Sequence, residues 1–390
     1  MTLERDPVSL AEEVRPVLAK HAADVDRAGR FPVEAMAALR ESGLMGLLVP
    51  REYGGLGGEL RDVAEVASSL AGACLSTAMV WAMHCQQVDT IARFGHPSLR
   101  ATLLPRIADG SVYVASVTSE QGKGGHLLTA SAPLVAAGGR LLIDRNAPVV
   151  TGGRHADGYL LTMRAHADAQ PQQVSMVYAE RDQVEITQSG GWHALGMRGT
   201  ESVPLHLKGE VPDTQLIGAA GEFRTAAIAS FIPSGHIGWV ACWLGAARGA
   251  LVDIVTLLRS GSRPTTVDPK SDLVAERLAR VRMSLELVSA YLARVTADVD
   301  RSRADGTSLE DPATQIHINL LKVIGAELTL DAVQRLVNLV GMRLGYLEGS
   351  PVPLERHLRD LTAASLNYAD DRLLVATGML SWLDRDVKLA

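Results

Sequence analysis

VYVASVT at residues 112–118 opens the stretch that decides how this chain folds. After it come LLIDR (141–145), APVVT (147–151), GYLLTMRA (158–165), QVSMVYAE (173–180), VEITQ (184–188) and VPLHLKG (203–209), parted by Gly, Asp and Asn. Short β-rich runs with turn punctuation at this density predict a compact β-barrel or sandwich domain over 112–220.

Outward from that core the pattern is helical on both sides. From Ser9 to Ala28 apolar residues recur at spacings of three and four, through Leu10, Val14, Val17, Leu18, Ala22 and Val25. Pro32 opens a second helix through Leu39, closed by Ser42-Gly43, and further helices are predicted over 61–75, 76–94 and 97–108. Downstream, 224–259, 271–303, 311–340 and 353–383 are four long Ala/Leu-rich segments, which predict an antiparallel four-helix bundle. The fold class is therefore α+β and mainly α. It comprises an N-terminal helical domain (1–111), a central β domain (112–220) and a C-terminal four-helix bundle domain (221–390).

Composition narrows the function. With 47% hydrophobic and 21% charged residues, the 390-residue chain is an ordinary globular sequence. A net charge of −6 offers no basic stripe for a phosphate backbone, so nucleic acid is not an expected partner. Cys74, Cys85 and Cys242 lie far apart in apolar surroundings and suit buried reduced thiols, with neither a metal-ligand spacing nor a disulfide framework. The charged start MTLERDPVSLAEEVRP has no apolar segment of a signal peptide, and no uninterrupted apolar run approaches a membrane span. A cytoplasmic protein without a membrane span is the expectation.

Four stretches carry a resemblance. They are FPVEAMAALRESGLMGLLVPREYGGLG (31–57), continued by AMHCQQVDTIARFG and LLPRIADG; ASVTSEQGKGGH (115–126) with APVVTGGRHADGYLL (147–161); WHALGMRGTESVPLHLKGEVP (192–212); and LVGMRLGYLEGSPVPLERHLRD (339–360). In residue type and order the chain resembles the acyl-CoA dehydrogenases over nearly its whole length. The resemblance implies FAD bound between the β domain and the bundle, in an oxidoreductase acting on an acyl thioester carried by CoA or a carrier protein.

On that resemblance, the strand ends Val117-Thr118 and Val150-Thr151 match the residues that hold the isoalloxazine ring. Thr118 would face its pyrimidine side and Thr151 would bond near N5. The strand-end hydroxyl chemistry suits a planar polar edge, although two ordinary β-turns read the same way. Where the family has Glu-Pro and a turn touching the pantetheine arm, this chain has Ser119-Glu120-Gln121 and Lys123-Gly124-Gly125. Gly341, Gly345 and Tyr346, with Pro353 to Asp360, match the family's turn and helix start, which meet the FAD of a neighbouring subunit and imply a homo-oligomer, a dimer or tetramer. Asn338 stands where a flavin-contacting Gln often stands, and Arg259 or Arg263 would meet the FAD pyrophosphate or simply face solvent.

The resemblance fails at one chemical point. Taking an α-proton from an acyl thioester needs a desolvated carboxylate as base. The family places it a fixed distance after an Arg-Asp pair, and counting from Arg359-Asp360 lands on Tyr368 in SLNYADDRLL. The family's second location, in FIPSGHIGW, shows Gly235 and His236.

Three readings stay open. Asp370, Asp371 or Tyr368 could act as the base. The chain could instead be a flavin-dependent monooxygenase of the same fold, hydroxylating a small metabolite or amine through a flavin C4a-hydroperoxide, with His84 or His236 assisting and a flavin reductase or electron-transfer partner supplying electrons. A catalytically silent subunit is the third. Trp81, Trp239 and Trp243 read as core or pocket wall.

Overall fold

In the computed structural model, residues 6–122, 126–261, 263, 265 and 267–390 are described. The Lys123-Gly124-Gly125 part of the expected CoA-contacting turn lies outside them. Helices come first, as the spacing predicts: α1 (Pro7–Ala28), α2 (Val33–Ser42), α3 (Leu60–Ala71), α4 (Leu75–Phe94) and α5 (Pro97–Ala108). Asp6 caps α1 by accepting the Ser9 N–H at 2.9 Å, and Gly29 ends the helix in the left-handed conformation.

The β region holds two four-stranded sheets. One is ordered β1 (Val114–Val117), β4 (Gly158–Arg164), β5 (Val174–Glu180), β8 (Leu216–Ile217). The other is ordered β2 (Val135–Ala137), β3 (Arg140–Val150), β7 (Val203–Pro212), β6 (Val184–Gln188). The runs LLIDR and APVVT belong to the single strand β3, bent by a register shift between Ala147 and Val150. β1 pairs with β4 in parallel, which carries Thr118 to the end of the sheet facing the helices.

Downstream, α6 (Phe223–Ala226), a π-helical turn (Ala227–Phe231) and α7 (Ile232–Arg259) form one helical column, followed by α8 (Asp272–Ala304) and α9 (Pro312–Gly341). By length and composition Phe223–Arg259 is apolar enough to cross a membrane, contrary to the expectation from uninterrupted runs, which stops at each polar residue. In this fold α7 packs on α3, α4, α8 and α9, and an all-round apolar surface is what such a central helix needs. The packing makes one hydrophobic core that runs through all three segments. An ion-pair network locks the seam: Asp89 on α4 binds Arg303 on α8 at 2.7 Å and accepts the Ser230 hydroxyl of the π-helical turn.

The predicted fourth long helix is broken. It comprises α10 (Leu354–Leu361), α11 (Ala364–Asn367) and α12 (Asp370–Ser381), with Tyr368 extended at φ −142° and ψ 120°. The break has a physical cause. The fully buried Lys322 of α9 donates from Nζ to the carbonyls of Ala364 (2.8 Å) and Tyr368 (2.5 Å) and to Asp370 Oδ1 (2.5 Å). An ammonium that collects these oxygens diverts them from helical pairing.

The 195–200 turn docks on α10. Asp360 accepts the Met197 N–H at 2.5 Å, Arg359 pairs with Asp26 at 2.6 Å, and a Cβ at Gly196 would come within 1.9 Å of the Arg359 carbonyl oxygen. Glycine is required by that close approach.

Candidate functional site

Where β1 ends against α4, the π-helical turn, α7, α9 and α12, a cavity of about 460 Å³ opens. Its apolar wall includes Met83, Leu127, Ile228, Phe231, Ile232 and Leu373. Ser116, Thr118, Gln86, His236, Trp239, Asn319 and Tyr368 add polar groups. A largely apolar cavity of this size with a few convergent polar groups is a small-molecule site by its construction. The π-helical turn supplies Ile228 and Phe231, in keeping with the use of such bulges beside binding sites.

Of the residues singled out in the sequence, the structure brings Thr118, His236 and Tyr368 together here. Val117 is wholly buried in β1 and Val150 wholly buried at the end of β3, so their side chains are core. The Thr118 hydroxyl has no protein partner among the described residues. Thr151 lies outside the cavity lining; its Oγ1 meets Ser202 Oγ at 3.0 Å, and its carbonyl accepts the Tyr113 hydroxyl at 2.9 Å. Arg259, Asn338 and Gly341 are exposed and away from the cavity.

The two histidines diverge. His84 is fully buried, Nδ1 accepting the Val114 N–H at 3.1 Å and Nε2 donating to the Met45 carbonyl at 3.0 Å. Burial lowers its pKa to about 4, it is neutral with both nitrogens committed, and it stands outside the cavity lining. The structure thus places this catalytic candidate as a clamp between α4, the 44–46 turn and β1. His236 is also buried and lowered to about 4, but only Nδ1 has a partner, the Ile318 carbonyl at 3.0 Å. A carbonyl only accepts, so Nδ1 carries the proton and Nε2 keeps a free lone pair.

The carboxylate candidates are also sorted by geometry. Asp370 is bound to Lys322 and is outside the cavity lining. Burial raises the Tyr368 pKa, which disfavours a phenolate near neutrality. Glu310, the one carboxylate among the described lining residues, is exposed, 3.8 Å from Arg224. At the second expected position Gly235 carries no acid, and a Cβ there would come within 2.3 Å of the Gln86 amide, whose nitrogen donates to the Phe231 carbonyl at 2.7 Å and would have to shift.

The turn after Thr118 is folded inward. Glu120 accepts the N–H groups of Ser131 and Ala132 at 2.8 Å each and faces the buried Arg145 at 3.5 Å. Its carboxylate therefore serves the β domain rather than a ligand.

Sequence reasoning missed Lys322, Asn319, Gln86 and Arg372. The first two had a signal: they are polar residues in the otherwise apolar run INLLKVIGA of α9, where a buried polar group needs a specific partner. Gln86 and Arg372 carried none.

Residues 9–111 match the family "Acyl-CoA dehydrogenase, N-terminal domain" and residues 237–369 match "Acyl-CoA dehydrogenase, C-terminal domain". A dibenzothiophene monooxygenase of Rhodococcus qingshengii is 30% identical over 274 residues, a match covering 67% of this chain and 64% of that relative's length. The FMN-bound TdsC of Paenibacillus sp. A11-2 superposes with a TM-score of 0.87 at 22% identity, covering 98% of each chain. Butyryl-CoA dehydrogenase of Megasphaera elsdenii superposes with a TM-score of 0.85 at 19% identity, again covering 98% of each. With both terminal segments matched and the helix–sheet–helix order superposing end to end, the chain belongs to the acyl-CoA dehydrogenase superfamily of flavin-dependent oxidoreductases, which holds dehydrogenases and monooxygenases alike.

Proposed function

We propose that this chain is a flavin-dependent monooxygenase rather than an acyl thioester dehydrogenase. One observation carries the choice: no buried carboxylate is free to act as a base among the described residues lining the cavity. The position expected to hold it is Tyr368, its neighbour Asp370 is held by Lys322, and the second expected position is Gly235, which carries no acid. α-Proton removal would find no free carboxylate there, and the one open imidazole nitrogen, His236 Nε2, belongs to a ring whose pKa burial lowers to about 4 and is a weak base, whereas oxygen transfer requires no such base.

The residues present fit a flavin. Thr118 offers a hydroxyl at the strand end without a partner among the described residues. When bound, a reduced flavin would supply two electrons to dioxygen, one oxygen atom passing to substrate and the other leaving as water. The chain's own part is to exclude water with the Phe231, Ile232 and Leu373 wall, and to hold the Tyr368 segment through Lys322. FAD is the proposed form, and Asn338 and Gly341, both exposed at the C-terminal end of α9, would help hold it across an interface with a second copy. The exposed Met342, Tyr346 and Leu347 beside them suit burial in a homo-oligomer. Electrons would come from a separate reductase.

The test is a stopped-flow experiment on flavin-reconstituted protein. The reduced protein mixed with oxygen should pass through an absorbing species distinct from both reduced and oxidised flavin before reoxidation. Prompt featureless reoxidation, together with anaerobic bleaching of the oxidised flavin by a panel of acyl-CoA thioesters, would overturn the proposal in favour of dehydrogenation.

A further inference from the structure

Three neutral polar groups face one cavity with hydrogen-bonding capacity unused inside the protein. His236 is 5% exposed and keeps the Nε2 lone pair, since Nδ1–H is given to the Ile318 carbonyl. Asn319, the next residue on α9, is 7% exposed, and its amide has no protein partner among the described residues. Trp239 lies beside the imidazole, its ring centroid 5.7 Å away, with its buried Nε1–H unpartnered. Buried polar groups are ordinarily satisfied, and three unsatisfied ones on a single cavity mark a place where a ligand completes them.

The pattern specifies the ligand. An acceptor at Nε2, a donor at Trp239 and a donor–acceptor amide at Asn319 complement a group that both gives and takes a hydrogen bond. The charged lining residues are exposed or half-exposed, Arg224 and Glu310 the former and Arg372 on α12 the latter, so the buried lining around His236, Asn319 and Trp239 is neutral. A carboxylate or an ammonium would be desolvated there without a counter-ion. The remaining wall, Met83, Leu127, Ile228, Phe231 and Leu373, is apolar and suits a hydrocarbon ring system.

We propose that His236, Asn319 and Trp239 form a specificity triad for an apolar aromatic substrate bearing one neutral hydroxyl or ring N–H, whose proton is donated to His236 Nε2. This rests on the monooxygenase reading for the fate of the substrate, but the recognition itself requires no turnover. It also reverses the sequence expectation for His236. A nitrogen that lacks a proton cannot donate to a bound oxygen species; it orients the substrate by accepting from it.

The experiment is calorimetric titration of flavin-loaded protein with 2-naphthol and with 2-methoxynaphthalene, which keeps the rings and the oxygen but lacks the proton. Wild type should bind 2-naphthol about tenfold more tightly, the worth of one hydrogen bond between buried groups. His236→Leu should bring that ratio to about one while leaving 2-methoxynaphthalene within about threefold of wild type. Asn319→Leu should lower the ratio independently, and it carries the test if the His236 variant does not fold.

Equal binding of the two probes by wild type, binding of neither, or an unchanged ratio in the variants would overturn the triad. Failure of the oxygen reaction with the tenfold preference intact would overturn only the monooxygenase reading. Binding of butanoyl-CoA more tightly than 2-naphthol would overturn both.

Discussion

The α4–β1 seam around His84 and the α7–α9 seam around His236 begin from the same chemistry. Each puts a neutral imidazole on an apolar helix, each side chain is buried, and burial lowers each pKa from 6.5 to about 4. In the first seam both nitrogens are bonded to backbone and the ring joins three elements. In the second, one nitrogen is bonded and the other opens on the cavity. A titration shift alone would have ranked them equal as site candidates; counting hydrogen bonds separates a clamp from a binding group. α9 repeats the contrast within one turn. Asn319 is open to the cavity, and Lys322 is closed on three oxygens.

The sharpest attack on this comparison is Lys322→Met. If a fully satisfied buried group serves stability, removing this ammonium should be the costliest change here, because it strands the Asp370 carboxylate and two carbonyls. Loss of one partner of a buried ion pair costs about 3–5 kcal/mol. Urea unfolding monitored by helical circular dichroism should show that loss. A midpoint unchanged from wild type would mean that the α11–α12 break is held by packing alone.

Next come His84→Leu and His236→Leu as a pair. The first leaves both the Val114 N–H and the Met45 carbonyl without their side-chain partner, for about 2–4 kcal/mol; the second removes one hydrogen bond to the Ile318 carbonyl, which keeps its helical partner in α9, for about 0.5–1.5 kcal/mol. Both should flatten the acid limb of stability equally. A histidine held neutral when folded but protonated when unfolded destabilises the fold as pH falls from about 6.5 to about 4, since the unfolded chain then binds the extra proton. Each variant should reduce the slope in that window by about 1.4 kcal/mol per pH unit. Asp360 acts in the opposite sense. Its carboxyl is raised to about 6 by burial, so the folded chain gains a proton between about 6 and 4 and gains stability there. Equal pH effects with unequal binding effects would confirm the division; equal binding losses would dissolve it.

The sequence carried the architecture because the period of apolar residues and the turn punctuation are local properties. The strands of 112–220 and the helices on both sides emerge from them with small boundary shifts. Two features escaped because their causes are distant in sequence. The break at Tyr368 is made by Lys322, 46 residues earlier, and no local breaker announces it. Gly235, which the sequence showed only as a position without an acid, faces the Gln86 amide of another helix. The cavity was legible only in fragments. Thr118, His236 and Tyr368 were read from three motifs, while Asn319 and Trp239 joined them only once α7 and α9 were packed together.

The smallest expected effect bears on Tyr368, the residue that the resemblance puts where a catalytic base is expected. Tyr368→Phe deletes the hydroxyl of a half-buried residue and should cost at most about 0.5 kcal/mol. Its raised pKa keeps the phenol protonated near neutrality, so it can neither serve as a base nor supply the charge an α-proton would need. The oxygen reaction of the reduced flavin should then proceed at the wild-type rate, with the unfolding midpoint only slightly lowered. A tenfold fall in that rate would show that the tyrosine exchanges a proton during the reaction. The cavity would then hold a proton-exchanging group beside the binding groups His236 and Asn319, and the hydrogen-bond count alone would no longer separate this seam from the clamp at His84.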